Sequence, residues 1–229
     1  MLVPAFDEAA LLEATLAAIE AHCESRPEPF ELVVVDDGST DATPEIIAAF
    51  ASTRPSVRTV THPVNAGLGA ALRSGIEAAN APVVVVLDAD LTYAPDHIDP
   101  LRSACAAGAA IAVASPYAAG GRVSGVPWHR LGLSRLANRI LRRRFGVATS
   151  TSMVRAYDRS FALGALGSLD DGDVLLGLLG AARAAGRTIT EVPAHLDWRA
   201  VQDRHSRLRT GSAIRAVLRA WVRVRREDA

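Results

Sequence analysis

Short apolar runs alternate with helical patterns through the first half of the chain, and this alternation constrains the fold more than any other feature. The apolar runs are Leu2–Ala5, Leu32–Val35, Val57–Thr61, Val83–Leu87 and Ala110–Ala114, and the helical patterns are Glu8–Cys23, Thr43–Ala51, Gly67–Ala79 and Pro95–Ala107. Buried strands separated by helices are typical of a mainly parallel sheet covered on both faces. The sequence therefore predicts a three-layer α/β/α sandwich whose ligands bind beyond the carboxyl ends of the strands.

A different pattern begins after Ser115. The segment Pro116–Pro127 is rich in glycine and proline and predicts a long mobile loop. The elements predicted next are a helix over Trp128–Phe145, an extended stretch over Thr149–Tyr157, a helix over Asp171–Ala185, a strand over Arg187–Val192 and an irregular segment over residues 194–210. An apolar stripe at helical spacing then predicts a helix over Ser212–Arg226. We therefore predict a main domain over residues 1–210 and a basic amphipathic helix over residues 211–229.

Charge and cysteine content narrow the classes of partner and compartment. The 25 basic and 25 acidic residues cancel, which argues against a nucleic-acid partner. The two cysteines, Cys23 and Cys105, fall in separate predicted helices and indicate packed thiols in a reducing, cytoplasmic setting. No apolar run is long enough to span a bilayer. The segment from Arg199 to Arg226 contains nine arginines and one acidic residue. The helix over 212–226 is therefore predicted either to dock on the domain or to lie on an anionic membrane surface.

Three clusters of aspartates dominate the polar residues: Asp36-Asp37, Asp88-Ala89-Asp90, and Asp170-Asp171 with Asp173. The middle cluster is the most informative, because carboxylates two residues apart at the end of a strand point the same way and repel unless a cation lies between them. Hard divalent cations held by one or two carboxylates complete their shell with water and substrate phosphates. Asp88 and Asp90 therefore predict a Mg²⁺ or Mn²⁺ site for a nucleotide diphosphate, with loop capping as the alternative.

Four motifs in order make the chain resemble the family 2 glycosyltransferases: Val3–Ala9, Val35–Asp41, Asn65–Ala71 with Gly75, and Asp88–Asp90. The resemblance implies a GT-A fold, a nucleotide-binding first half, an acceptor-side second half, and metal-dependent transfer of a sugar with inversion at the anomeric carbon. It implies a donor site built from Pro4, Phe6, Glu8, Val35, Asp36, Asp37, Asn65, Gly67, Asp88, Ala89 and Asp90. Two alternatives remain at this stage, namely that the aspartates of the second motif serve only the turn and that Phe6 packs in the core.

Within that family the chain resembles the polyprenyl-phosphate mannose synthase group most. The resemblance rests on Ser115-Pro116-Tyr117, Trp128 with Arg130 and Ser134, Ser152 with Arg155 and Tyr157, and Glu191-Val192-Pro193. It implies GDP-mannose as the donor and a polyprenyl phosphate as the acceptor, held by Arg130 and Ser134. The group often has arginine where this chain has Pro116, so Arg155 is a further acceptor candidate, with a structural ion pair as the alternative. Arg199 and the Ser206-Arg207 pair resemble a mobile basic loop that closes over the donor diphosphate.

Two other functions stay open on the sequence. In family members that glycosylate hydroxyl groups, an acid in the region of Asp171 or Asp173 is the general base, and here these residues could equally stabilise a helix N-terminus. A phosphate acceptor is already ionised and requires no base, so these aspartates separate the two acceptor classes. The altered positions Thr92 and Pro116 also leave open a nucleotide-sugar-binding protein without catalytic activity.

Overall fold

A computed structural model gives the fold, and the structure describes residues 1–169 and 174–201. The strands are β1 (Leu2–Ala5), β2 (Leu32–Asp36), β3 (Val57–Thr61), β4 (Val83–Val86), β5 (Ile111–Ser115), β6 (Arg122–Ser124), β7 (Arg155–Asp158), β8 (Ile189–Pro193) and β9 (His195–Asp197). The helices are α1 (Leu12–Glu24), α2 (Thr43–Ala51), α3 (Leu68–Ala78), α4 (Ile98–Ala106), α5 (Trp128–Phe145), α6 (Arg159–Leu166) and α7 (Val174–Ala184). Short 3₁₀ turns cover Pro95–His97 and Trp198–Val201.

Seven of these strands form one sheet in the order β3-β2-β1-β4-β7-β5-β8. All neighbouring pairs are parallel except those of β7, which runs antiparallel to both β4 and β5. The mainly parallel sheet predicted from the sequence is therefore confirmed. Because β1, β2 and β4 share one direction, the residues that follow them meet at one edge of the sheet.

Successive side chains of the central strands enter opposite faces of the sheet, as the two-residue period of a strand requires. Leu2 packs with α3, α5, α6 and α7 on one face, whereas Val3 packs with α1, α2 and α4 on the other. These two apolar clusters account for the three layers. Cys23 and Cys105 are buried free thiols in the second cluster, as predicted.

Several predicted elements differ from the structure. Strand β3 is an edge strand with exposed residues, although the sequence predicted it as buried. The segment predicted as a mobile loop, Pro116–Pro127, contains β6, which pairs in parallel with β9 inside the segment predicted as irregular. Helix α6 was not predicted, and the extended stretch is regular only in β7. Residues 170–173 and 202–229, with the start of the predicted helix at Asp171 and the predicted helix over 212–226, lie outside the described residues.

Among the helices of the described ranges, none combines the length and apolar character that a membrane span needs.

Candidate active site

The loop after β4 carries Asp88 and Asp90 at the carboxyl edge of the sheet. Its backbone is held from the side by α1, because the buried Thr15 hydroxyl donates a 2.6 Å hydrogen bond to the carbonyl oxygen of Ala89. Leu91 adopts a left-handed backbone conformation with φ of 52°, and the Thr92 amide donates to Asp90 Oδ1 at 2.9 Å. The Ala89 backbone and the Asp90 carboxyl group are thus held in place, with Asp88 directly before them.

The electrostatics of this loop are unfavourable without a counter-charge. Removal from water, followed by the nearby charges of Asp90 and Glu8, raises the pKa of Asp88 to about 8. Three acidic residues therefore influence one another at one point, which is the arrangement that a divalent cation relieves. The described part of the chain has no group of three or more His, Cys, Asp or Glu side chains placed to hold a metal ion. A pair of carboxylates nonetheless fits Mg²⁺ or Mn²⁺ completed by water and phosphate oxygens.

The motif after β2 serves the turn to a large extent. Asp36 and Asp37 are both buried. Asp36 Oδ1 accepts from the Ser39 amide at 3.0 Å, and Asp41 Oδ1 accepts from the Thr43 amide at 3.0 Å at the start of α2. Asp37 accepts hydrogen bonds from the amides of Ala66 (3.0 Å) and Gly67 (2.8 Å). The second and third motifs of the sequence are therefore joined through one carboxylate.

The loop after β1 lies against this turn. The Asp7 amide donates to Ser39 Oγ at 2.9 Å and the Glu8 amide donates to Thr43 Oγ1 at 2.8 Å. Phe6 is 37% exposed, so the alternative that it packs in the core is wrong. The side chains of Pro4 and Val35, by contrast, are buried in the sheet, and Ala89 is buried in the apolar cluster that contains Val3. Of the predicted donor residues in the first motif, Phe6 and Glu8 are those with side chains at the carboxyl edge.

Helix α5 places two predicted acceptor residues, Arg130 and Ser134, one turn apart and partly buried. Ser134 Oγ accepts a 2.9 Å hydrogen bond from the Tyr117 hydroxyl, so it is held by the segment after β5. The Arg130 guanidinium lies 5.7 Å from the ring centroid of Trp198, in the turn that follows β9. These contacts set Arg130 and Ser134 apart from a simple solvated helix face.

Arg155 does not belong to the candidate site, contrary to the sequence prediction. Its side chain is fully buried. Its guanidinium donates to the carbonyl oxygens of Ser152 (2.8 Å), Leu175 (2.7 Å) and Ser150 (2.7 Å). A residue sealed under the segment 150–152 and tied to α7 cannot reach an acceptor phosphate, so its role is structural. The motif residue Glu191 has a comparable role, since its carboxylate accepts from the amides of Ala148 and Thr149 at 2.8 and 3.0 Å.

Arg199 lies close to the acidic loop in an ion pair. The Asp197 amide donates to the carbonyl oxygen of Thr92 at 2.9 Å, which attaches β9 to the loop that carries Asp90. Arg199 donates to both carboxylate oxygens of Asp197, at 2.8 and 2.6 Å. This hydrogen bonding lowers the pKa of Asp197 to about 2. Asp171, Asp173, Ser206 and Arg207 lie outside the described residues, so the roles predicted for them stay predictions.

The sequence did not single out two residues at this edge, His62 and Ser74. His62 follows β3, and its ring contacts Asp37 Oδ1 at 2.7 Å and Ser74 Oγ at 2.9 Å. The only signal in the sequence was the position of His62 directly after a predicted strand, at the edge where ligands bind.

The sheet order and the acidic carboxyl edge define a GT-A-type α/β protein. The family description "Glycosyl transferase family 2" matches residues 1–162. The chain therefore belongs to the family 2 glycosyltransferases.

Two relatives and one solved structure give the extent of the similarity. The polyprenol monophosphomannose synthase of Mycolicibacterium smegmatis is 34% identical over 165 residues, which are 69% of this chain and 61% of that protein. The undecaprenyl-phosphate 4-deoxy-4-formamido-L-arabinose transferase of Aeromonas hydrophila is 32% identical over 162 residues, which are 69% of this chain and 48% of that protein. The chain thus spans about half to three fifths of the length of these relatives. Glucosyl-3-phosphoglycerate synthase from Mycobacterium tuberculosis, crystallised with Mn²⁺ and UDP-glucose, superimposes with a TM-score of 0.62 at 25% identity over 86% of this chain and 68% of that chain.

Proposed function

We propose that this chain is a metal-dependent, inverting glycosyltransferase that moves a sugar from a nucleotide diphosphate onto a polyprenyl phosphate. The observation that carries the proposal is the Asp88-Ala89-Asp90 loop, whose backbone is fixed at Ala89 and in which the charges of Asp90 and Glu8 act on Asp88 and help raise its pKa to about 8. An arrangement that crowds acids in a folded protein costs stability and is typical of a functional site. Membership of family 2 supports glycosyl transfer as the reaction class.

On the donor side, Asp88 and Asp90 would hold Mg²⁺ or Mn²⁺, which supplies neutralisation of charge on the departing diphosphate. The presence of Mn²⁺ or Mg²⁺ in crystals of the mycobacterial synthase supports this choice of metal. The turn at Asp36, the loop at Asn65 and Gly67, and the exposed ring of Phe6 border the same edge and would contact the nucleoside. Arg199, already adjacent to the metal loop, would contact the diphosphate together with Arg207.

On the acceptor side, Arg130 and Ser134 would hold the phosphate. A guanidinium fork suits a phosphate better than a lysine ammonium does. An ionised phosphate oxygen attacks the anomeric carbon directly, and the bond from that carbon to the diphosphate breaks with its electron pair leaving on the nucleotide. No general base is needed, which fits a lipid phosphate as the acceptor. The names of both relatives, a polyprenol monophosphomannose synthase and an undecaprenyl-phosphate arabinose transferase, support this acceptor class.

We propose mannose from GDP-mannose as the transferred sugar, as the resemblance to the mannose synthase group implies. The names of the relatives include two different sugars, mannose and formamido-arabinose, so the choice of mannose rests on the resemblance of the sequence to the mannose synthase group. We also propose a cytoplasmic protein that contacts a membrane surface through residues 212–226, where the lipid acceptor lies.

A donor screen tests the function. Release of nucleoside diphosphate from GDP-mannose, UDP-glucose and other nucleotide sugars is measured with and without polyprenyl phosphate, and with Mg²⁺ or a chelator. We expect release that needs both the lipid and the metal, and that falls at least 100-fold in Asp88→Asn. Turnover that persists in the chelator would contradict metal dependence, and the absence of turnover with every donor would favour a binding protein without activity.

A second experiment separates the acceptor classes. The variants Asp171→Asn and Asp173→Asn each replace a carboxylate that could act as a general base with a neutral amide of similar size. With a phosphate acceptor we expect each variant to retain activity within about tenfold, because no proton has to be removed from the nucleophile. Near-total loss in either variant, together with turnover of a hydroxyl acceptor, would show a hydroxyl-directed transferase instead.

A further inference from the structure

The carboxylate of Asp37 is the centre of a buried network at the donor edge. Its Oδ1 atom accepts from the His62 ring at 2.7 Å and from the Ala66 amide at 3.0 Å, and its Oδ2 atom accepts from the Gly67 amide at 2.8 Å. Asp37 is buried, so these contacts replace water almost completely. The carboxylate is therefore committed to holding the loop 62–67.

His62 is held at three points. Its backbone amide donates to the carbonyl oxygen of Asp36 at 2.9 Å. Its Nδ1 atom faces Asp37, and its Nε2 atom lies 2.9 Å from the hydroxyl of Ser74 on α3. A carboxylate only accepts, so Nδ1–H donates to Asp37, while Nε2 and the Ser74 hydroxyl form the second hydrogen bond of the ring. The chain Asp37–His62–Ser74 thus links the ends of β2 and β3 to α3.

The turn after β2 and the loop after β3 are also in direct contact. Gly38 has φ of 73°, and a Cβ atom at this position would lie 2.3 Å from the carbonyl carbon of Val64 and 2.5 Å from the amide nitrogen of Asn65. The two segments therefore have no room to shift relative to each other while Asp37 holds the loop. Asn65 and Gly67, both predicted donor residues, are placed by this contact and by the Asp37 network.

We propose that His62 and Ser74 are positioning residues for the nucleotide-sugar donor. They hold Asp37, and Asp37 holds the amides of Ala66 and Gly67 in the position that the donor meets. This inference rests on the proposed function, because the ligand it concerns is the nucleoside diphosphate of the donor. Its consequence is that the loss of the His62–Asp37 bond weakens donor binding while the chemical step at Asp88 and Asp90 continues.

Two isosteric substitutions test the inference. His62→Asn keeps a donor near the place of Nδ1 and so retains the bond to Asp37, whereas His62→Gln places its amide near Nε2 and loses that bond. For His62→Gln we expect the donor KM to rise about tenfold with kcat within about threefold, since a hydrogen bond to a buried carboxylate is lost. His62→Asn should restore the donor KM to within about threefold, and the acceptor KM should not change in either variant.

The matched control is His22→Gln, which alters a histidine 3.4 Å from Asp99 at the opposite end of the sheet and should leave the donor KM unchanged.

Calorimetry of GDP and of UDP with Mn²⁺, without acceptor, separates this inference from the proposed function. If the wild type binds neither nucleotide, the proposed function fails. If the wild type binds and His62→Gln binds equally well, the inference is overturned. If His62→Gln does not fold, the variant Ser74→Ala is tested in its place. An unchanged donor KM in Ser74→Ala overturns the inference, and a raised donor KM supports it.

Discussion

At the scale of single residues, the acids at the carboxyl edge differ in their neighbours. Asp37 is surrounded by donors from His62, Ala66 and Gly67, so its charge is stabilised within the protein. Asp88 instead has acidic neighbours, Asp90 and Glu8. Hydrogen-bond donors stabilise a buried carboxylate, whereas neighbouring like charges destabilise it unless a cation is bound. This difference underlies the proposal that Asp88, and not Asp37, holds a cation.

The raised pKa of Asp88 predicts how the metal-free protein responds to pH. From about 4, the ordinary value of a carboxyl group, up to about 8, the folded chain keeps a proton that the unfolded chain has lost. The free energy of unfolding therefore falls as pH rises through this window. We expect Asp88→Asn to remove this dependence and to have a higher melting temperature than the wild type at pH 8.5, measured in a chelator. Equal slopes of melting temperature against pH in the two proteins would contradict the assignment.

The fully buried Arg155 gives a prediction about stability and not about substrate binding. Replacement by methionine leaves the carbonyl oxygens of Ser150, Ser152 and Leu175 without their donor, so we expect a loss of about 3 kcal/mol or more in the free energy of unfolding. Urea denaturation measures it. The control is Arg130→Met on α5, which is partly exposed and should lose less than about 1 kcal/mol while its acceptor KM rises. A stable Arg155→Met protein with a raised acceptor KM would restore the original sequence prediction.

The sequence predicted a cation site from two carboxylates that directly follow an apolar run, and the charge of Asp90 does act on Asp88; their role as metal ligands stays a prediction. It could not assign Arg155, because residue type and spacing do not distinguish an arginine that binds phosphate from one that donates to carbonyl oxygens of the preceding loop and of a helix 20 residues away. His62 was missed for the same reason, since its partners lie 25 and 12 residues away in sequence. Contacts of this kind are set by tertiary packing, which residue spacing does not encode.

At the scale of elements, the strands and helices of the first half could be predicted from local sequence patterns. The direction in which strands pair was harder to predict. The five apolar runs of that half all became strands that share one direction in the sheet. Four of them are largely buried, as apolar runs in a covered parallel sheet are, whereas β3 is an exposed edge strand. The strand β7, which lies between β4 and β5 and runs antiparallel to both, contains a buried arginine and an aspartate at its end, so its composition did not indicate a central position.

The packing of α3 on β1 predicts the effect of an added methyl group. A Cβ atom at Gly75 would lie 2.2 Å from Cδ1 of Leu2, a fully buried residue in the middle of the sheet. We expect Gly75→Ala to lower the free energy of unfolding by about 1–3 kcal/mol through overpacking. The matched change Gly132→Ala in α5 meets nothing within 4 Å and should raise it by up to about 1 kcal/mol, because alanine favours the helix. Denaturant unfolding compares the two, and a neutral Gly75→Ala would contradict close packing of α3.

At the scale of the whole molecule, α5 has two faces with different tasks. On one face, Ser134 contacts Tyr117 and Arg130 contacts Trp198, and Ala137, Leu141 and Phe145 are buried. The opposite face exposes Trp128 (85%), Leu136 (56%) and Ile140 (41%), interleaved with the exposed arginines Arg135, Arg139, Arg142 and Arg143. Apolar residues among arginines suit the interface of an anionic membrane, where the rings and aliphatic chains enter the acyl boundary and the arginines meet phosphate headgroups.

This arrangement predicts binding to anionic vesicles through α5 in addition to residues 212–226. In a sedimentation assay with phosphatidylglycerol vesicles, Leu136→Glu with Ile140→Glu should weaken binding at every salt concentration, because apolar burial and charge attraction are both lost. Arg139→Gln with Arg143→Gln should weaken it mainly at low salt, because screening already removes that attraction at high salt. The control is Val64→Glu, a comparably exposed apolar residue on the loop after β3, which should bind like the wild type. Binding that survives both α5 variants and is lost on removal of residues 212–229 would assign the membrane contact to the C-terminal segment alone.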